Sequence, residues 1–138
     1  MTASFFGTGY WGRGSGNGPW FMADFEGGVW AGGSGAYSVV NPNNPSMQVD
    51  YAMGILKTNS TNYAIRVGNA QSGSLTTAYD GARPSAMLLN GGIILGIGED
   101  NSNHSYGTFF EGVITSGRPS DATDTAVLAN VQAAGYGQ

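Results

Sequence analysis

The chain has 138 residues, of which only 10% are charged, with a net charge of -4, 24 glycines, 41% hydrophobic residues and no cysteine. That length makes one domain, 1–138, burying roughly two thirds of its unfolded surface in a single core. Five basic residues without a cluster leave no footprint for nucleic acid; absent cysteine excludes disulfides and thiolate metal sites; no apolar run reaches membrane-spanning length.

The opening residues Met1-Thr2-Ala3-Ser4-Phe5-Phe6 lack a basic segment followed by an apolar one, so no signal peptide is read in this chain. Short apolar runs separated by Gly, Asn, Pro and Ser clusters then predict strands at 4–10, 19–30, 49–57, 63–69, 74–79, 92–98 and 106–115. Glycines at 12, 14, 16 and 18 read as a flexible loop. Asn41-Pro42-Asn43-Asn44-Pro45 is a loop because two prolines cannot donate to a ladder. Ser120 or Asp121 caps a helix over 121–134, with Val127, Val131 and Ala134 on one face and Gly135 as its stop. The fold class is all-β: an antiparallel β-sandwich of the concanavalin-like or jelly-roll type with one short C-terminal helix packed against its edge or back.

Two of these strands deliver carboxylates. In the first, Trp20, Met22, Asp24 and Glu26 alternate with Phe21, Ala23 and Phe25. The Phe face belongs in the core, so Asp24 and Glu26 are expected to look outward beside Trp20. In the second, Ile93, Leu95 and Ile97 are expected in the core, and Gly96 and Gly98 clear a floor that leads to Asp100 and Asn101. A pair of carboxylates across a sheet can cleave a glycosidic bond, one protonating the leaving oxygen while the other attacks the sugar or activates water. An aromatic wall at Trp20 and a glycine floor at Gly98 would suit a sugar ring.

Other motifs carry less. Gly7-Thr8-Gly9-Tyr10-Trp11-Gly12 has dinucleotide-site spacing but no following helix. His104 is the only histidine and reads as a surface loop residue rather than a metal ligand. Asp80, Asp121 and Asp124 read as turn and cap residues, and no metal or cofactor is expected. Asn59-Ser60-Thr61 and Asn103-His104-Ser105 are glycosylation sequons. Glu111, between Phe109 and Val113 on its face, is expected to be partly buried, with Arg66 as a partner.

Over residues 11–136 the chain resembles the catalytic domain of glycoside hydrolase family 54, the fungal-type α-L-arabinofuranosidases B, roughly in the C-terminal half of that domain. The resemblance rests on Trp11-Gly12 with Gly18-Pro19-Trp20, Met22-Ala23-Asp24-Phe25-Glu26, Tyr63-Ala64-Ile65-Arg66, Gly68-Asn69-Ala70, Gly73-Ser74-Leu75 and Arg83-Pro84-Ser85. It continues through Ile93-Ile94-Leu95-Gly96-Ile97-Gly98, Asp100-Asn101-Ser102-Asn103, Gly107-Thr108-Phe109, Glu111-Gly112-Val113, Thr115-Ser116-Gly117 and Pro119-Ser120-Asp121-Ala122-Thr123. It implies a retaining furanosidase in which Glu26 is the nucleophile, Asp100 the general acid/base, and Asp24 and Trp11 sugar contacts. Trp20, Gly98 and Asn101 complete the candidate binding set.

Gly27 and Glu99 depart from the family pattern, which has Asn after the nucleophile and Gly before the acid/base. The upstream half of the family domain, with its adjacent cysteine pair, has no counterpart in the chain, nor has the appended arabinose-binding module. Two readings follow. One is a furanosidase or sugar-binding protein for terminal α-L-arabinofuranosyl residues of a glycan. The other is a self-associating structural subunit, such as a virion decoration or surface filament protein. Either acts outside the cell or on a particle surface.

Overall fold

Pairing along the chain arranges the strands in two sheets whose inner faces meet. The computed structural model describes residues 2–8, 12–36, 39–85, 90–98, 105 and 107–138. The first sheet has the order β3-β2-β1-β7, from β1 (Thr2–Gly7), β2 (Trp20–Phe25), β3 (Gly28–Trp30) and β7 (Ile93–Leu95). The second has the order β4-β5-β6, from β4 (Ala52–Thr58), β5 (Asn62–Asn69) and β6 (Thr76–Ala82). Helix α1 (Asp121–Ala133) follows them. The all-β sandwich with one helix is thus what forms, although β7 joins β1 in parallel, through Thr2 with Ile93 and Ser4 with Leu95.

The core lies where β2 crosses β5. Phe21, Phe25 and Trp30 pack on Tyr63, Ile65, Val67 and Ala78, with the rings of Phe25 and Tyr63 edge to face at 5.2 Å. Tyr63 also donates its hydroxyl to the Gly33 carbonyl at 2.6 Å. Burial, reinforced by Tyr79, holds that phenol protonated well above its ordinary range. Gly54 on β4 lies under the Phe21 ring, where a Cβ would overlap it. Absence of a side chain there lets the two sheets approach.

Several expectations are corrected. Strand 19–30 breaks into a hairpin at Glu26-Gly27. Its second face is buried too: Trp20 and Met22 join Phe5, Val29 and Ala31 in another cluster, and Asp24 is only 5% exposed. Trp20 and Asp24 therefore do not look outward, and at Trp20 and Met22 this face is covered by loop 12–18. Far from flexible, that loop is fixed: Ser15 donates its backbone N–H to the Asn44 carbonyl at 2.8 Å, Gly18 donates to Ser46 Oγ at 2.7 Å, and Trp20 Nε1 donates to the Ser15 carbonyl at 2.7 Å. A Cβ on Gly14 would collide with Asn44 and the Trp20 ring, so glycine permits the close approach.

Ile93 and Ile97 are exposed and Leu95 is half-buried. β7 is a three-residue edge strand, ended by Gly96 at φ +86°, and among the described residues it is covered only in part, with Phe109 beside Gly96 and Gly112 beside Leu95. Residues 107–115 form no strand, because no described sheet edge pairs with them.

Helix α1 is capped as expected, Ser120 Oγ accepting the Thr123 N–H at 3.1 Å. Its buried residues are Asp124 and Leu128, not the predicted Val127 face. Asp124 is not a simple cap residue but the centre of an ion cluster, 2.7 Å from Lys57 Nζ and 2.9 Å from an Arg66 guanidinium nitrogen. Charge thus decides which helix face is buried. The expected Glu111–Arg66 pair does not form: Arg66 is held by Asp124, and exposed Glu111 accepts from the Tyr136 hydroxyl at 2.5 Å.

Candidate active site

β2 runs Asp24 and Phe25 up to a two-residue turn, Glu26-Gly27, and returns as β3 with Phe25 opposite Gly28 and Asp24 opposite Val29. Short loops between antiparallel strands favour small, permissive residues, which suits Gly27. Glu26 therefore stands exposed on a hairpin tip. Its carboxylate accepts the backbone N–H of Asn90 at 2.6 Å. Asp24 lies two residues back, buried on the strand between β1 and β3.

Sheet order sets where the other candidates fall. β1 lies between β2 and β7, antiparallel to the first and parallel to the second, so β2 and β7 run in opposite directions. The end of β2, with Phe25 beside Thr2, therefore meets the start of β7, where Thr2 also pairs with Ile93. Gly98 lies the other way. It is buried and donates its N–H to Ser105 Oγ at 3.1 Å, while Ser105 bridges to Gly7, itself opposite Trp20. From Thr2 to Gly7 the sheet extends about 17 Å at ordinary strand rise.

The structure thus brings Asp24 and Glu26 together on one hairpin and sets Gly98 toward the Trp20 end. Trp20 is only 4% exposed; packed with its indole N–H committed to Ser15, it is not an open aromatic wall in this chain. Trp11, Asp100 and Asn101, together with Glu99 and His104, lie outside the described residues. Asn90, which holds the Glu26 carboxylate, is a site neighbour that strand alternation does not reveal. Its only signal is the turn-forming run Asn90-Gly91-Gly92.

Comparison with known proteins places the whole chain in one context. The family model "Alpha-L-arabinofuranosidase B, catalytic" matches residues 1–137. A probable alpha-L-arabinofuranosidase B of Aspergillus clavatus is 51% identical over 142 residues, 99% of this chain and 28% of that protein. An alpha-L-arabinofuranosidase of Hypocrea jecorina is 50% identical with the same coverage. A crystal structure of an arabinofuranosidase complexed with arabinofuranosyl-alpha-1,2-xylobiose superposes with a TM-score of 0.82 at 41% identity, over 97% of this chain and 28% of that one. A Glu-to-Gln mutant of a family 54 α-L-arabinofuranosidase, soaked with 4-nitrophenyl α-L-arabinofuranoside, gives 0.75 at 37% identity. The chain therefore spans 28% of the length of these relatives.

Proposed function

Because this chain belongs to the α-L-arabinofuranosidase B catalytic family, we propose that it supplies the acid and nucleophile of a retaining α-L-arabinofuranosidase acting on terminal arabinofuranosyl residues of a glycan. The observation that carries this reading is the family match across residues 1–137, which includes the hairpin bearing Asp24 and Glu26. The relatives support this reading, and give no support to a virion or filament subunit. A polymeric glycan substrate puts the site of action outside the cell.

In this reading Glu26 is the nucleophile. Its exposed carboxylate, oriented by the Asn90 amide, attacks the anomeric carbon and forms a glycosyl ester, while protonated Asp100 donates its proton to the leaving oxygen. Asp100 then takes a proton from water, the water oxygen bonds the anomeric carbon, and Glu26 departs as carboxylate. Two inversions leave the configuration retained. Asp24, Trp11 and Asn101 are assigned to sugar contact, whereas Gly98, buried toward the opposite end of the sheet from Glu26, is not. Trp20, at the far end of β2 from Glu26 with its indole buried and bonded, supports the strand and is not a sugar contact. Gly27 in place of Asn removes one donor to a sugar hydroxyl, worth about 1 kcal/mol. Glu99 sets a second negative charge in sequence beside Asp100, which favours the protonated acid.

A chimera tests this. The chain replaces the matching 142-residue segment of the Aspergillus clavatus relative, and 4-nitrophenyl α-L-arabinofuranoside is the substrate. Hydrolysis whose first-formed sugar is the α-anomer is expected. An inverted product, or a folded chimera without hydrolysis, overturns the reading.

A further inference from the structure

The sequon Asn59-Ser60-Thr61 takes no part in the proposed chemistry. It has the pattern Asn-x-Thr with x other than proline, which an oligosaccharyl transferase accepts.

These three residues make the turn between β4 and β5, where Thr58 pairs with Tyr63, and all three are exposed. Asn59 organises the turn. Its backbone N–H donates to the Asn62 carbonyl at 2.9 Å, and its Oδ1 accepts the backbone N–H of Thr61 at 2.9 Å and that of Asn62 at 2.7 Å. The Thr61 hydroxyl adds a longer contact to the same oxygen, at 3.3 Å. Each of these bonds uses the side-chain oxygen or the backbone, and Nδ2 donates to no described residue. An N-glycosidic bond replaces one Nδ2 hydrogen and leaves Oδ1 its lone pairs. The folded turn therefore accepts a sugar on Asn59 without losing a hydrogen bond.

Strand directions fix where such a glycan stands. The Phe25 ring meets Tyr63 at 5.2 Å, near the start of β5, while the Phe21 ring covers Gly54, which pairs with Val67 toward the end of β5. β5 thus runs against β2, and turn 59–61 lies at the end of the sandwich that bears Glu26. It belongs to the other layer. Phe21 and Phe25 pack from β2 onto the second sheet, so Asp24, which alternates with them, lies on the face turned away from that sheet. A glycan on the second sheet's turn stands behind the Asp24 face and leaves it open.

Action on a glycan outside the cell requires export, and the relatives named above come from Aspergillus and Hypocrea, fungi whose export route passes the transferase. We propose that Asn59 is a site of N-linked glycosylation, an inference that rests on the extracellular reading and not on the roles of Glu26 and Asp100. The donor is a lipid-diphosphate-linked oligosaccharide. Asn59 Nδ2 bonds the anomeric carbon of its first N-acetylglucosamine, the bond from that carbon to the diphosphate oxygen breaks, and the diphosphate leaves with the electron pair. The nitrogen gives up one proton to a base of the transferase. Transfer precedes folding, and the turn then closes with the sugar outside.

Trypsin cuts after Lys57 and Arg66, so peptide 58–66 carries this sequon apart from the one at Asn103. In the protein secreted by its own host, that peptide is expected with an N-linked glycan, and N-glycosidase F in heavy-oxygen water should convert Asn59 to labelled aspartate. A bare peptide 58–66 would overturn the proposal. In a fungal expression host, Thr61→Ser should keep the glycan and Thr61→Ala should lose it, with circular dichroism unchanged because Asn59 keeps its bonds to the backbone. A glycan that survives Thr61→Ala would equally overturn it. In the chimera, enzymatic removal of the glycan should change turnover by less than about twofold, and a change of about tenfold would contradict its position behind Asp24. Hydrolysis by a chimera bare at Asn59 counts against glycosylation alone, and a glycosylated chimera that hydrolyses nothing counts against the catalytic roles alone.

Discussion

Lys57 Nζ lies 2.7 Å from Asp124 Oδ2 with side chains 4% and 2% exposed, joining strand β4 to helix α1. Arg66 from β5 reaches the same carboxylate oxygen at 2.9 Å. One buried anion thus pairs with two buried cations, and the second charge is balanced by exposed Asp121, at 2.5 Å from Lys57 and 3.7 Å from Arg66.

Removing Asp124 should therefore cost far more than removing a surface charge. Asp124→Ala strands Lys57 and Arg66 in the interior, and breaking such a pair from one side costs about 3–5 kcal/mol. Urea denaturation should show the unfolding free energy lowered by that amount, with Asp121→Ala much milder. A loss below about 1 kcal/mol would show that water reaches the cluster.

The same cluster sets the pH range of stability. Burial pulls the Lys57 ammonium down, but hydrogen bonds to Asp121 and Asp124 and their charges outweigh it and raise the group above its ordinary 10.5. Its contribution is present below 10.5 and is lost as pH rises through the higher folded value. Asp121 is lowered from 3.8, first by its hydrogen bond from Lys57 and then by the charges of Arg66 and Lys57. That contribution is present above 3.8 and is lost as pH falls through the lower folded value. Denaturation midpoints should be flat between these limits, and Lys57→Met should shrink but not remove the alkaline fall, because the buried Tyr63 phenol, held protonated above its ordinary 10.0, contributes to the same fall.

Asn44 offers a second structural test. It is fully buried, and its amide donates to the carbonyls of Phe21 at 2.8 Å and Ala31 at 2.9 Å, tying loop to sheet. Asn44→Ala should cost about 1–3 kcal/mol, since the Phe21 carbonyl loses this donor. Asn44→Asp should cost more, because a carboxylate aims an acceptor at two acceptors. Thermal unfolding of the three proteins checks the order.

Much of the fold was legible because period-two alternation marks β2 and β5 and the capping serine marks α1. The register of the two sheets was not. Nothing in Ile93-Ile94-Leu95 says that it pairs in parallel with β1, so the opposed directions of β2 and β7 could not be read. Alternation also misled at Trp20 and Asp24, since it shows that a strand has two faces but not that a glycine loop covers the second. For 106–115 the propensity was visible and the missing partner was not. Glu26 was placed correctly at an exposed strand end, while its Asn90 contact, 64 positions away in the chain, has no local signature.

For the acid/base, leaving-group dependence is the discriminating property. In the chimera, Asp100→Asn should slow release from arabinofuranosylated xylan by about a hundredfold to ten thousandfold, and that from the nitrophenyl arabinoside far less. Equal slowing of both would remove Asp100 from the protonation step. Gly27→Asn restores a donor to a sugar hydroxyl and should raise arabinose affinity, whereas Glu99→Gly removes the charge that favours protonated Asp100 and should shift down the limb of the pH profile set by that acid.

The role of Glu26 is tested most directly by the turnover of Glu26→Gln in the same chimera on 4-nitrophenyl α-L-arabinofuranoside. The substitution keeps size and polarity at an exposed hairpin tip, so the fold should be intact by circular dichroism. Turnover should fall at least about a thousandfold, because a neutral amide cannot form the glycosyl ester. Retention of wild-type turnover by Glu26→Gln would contradict the assignment of Glu26 as the nucleophile.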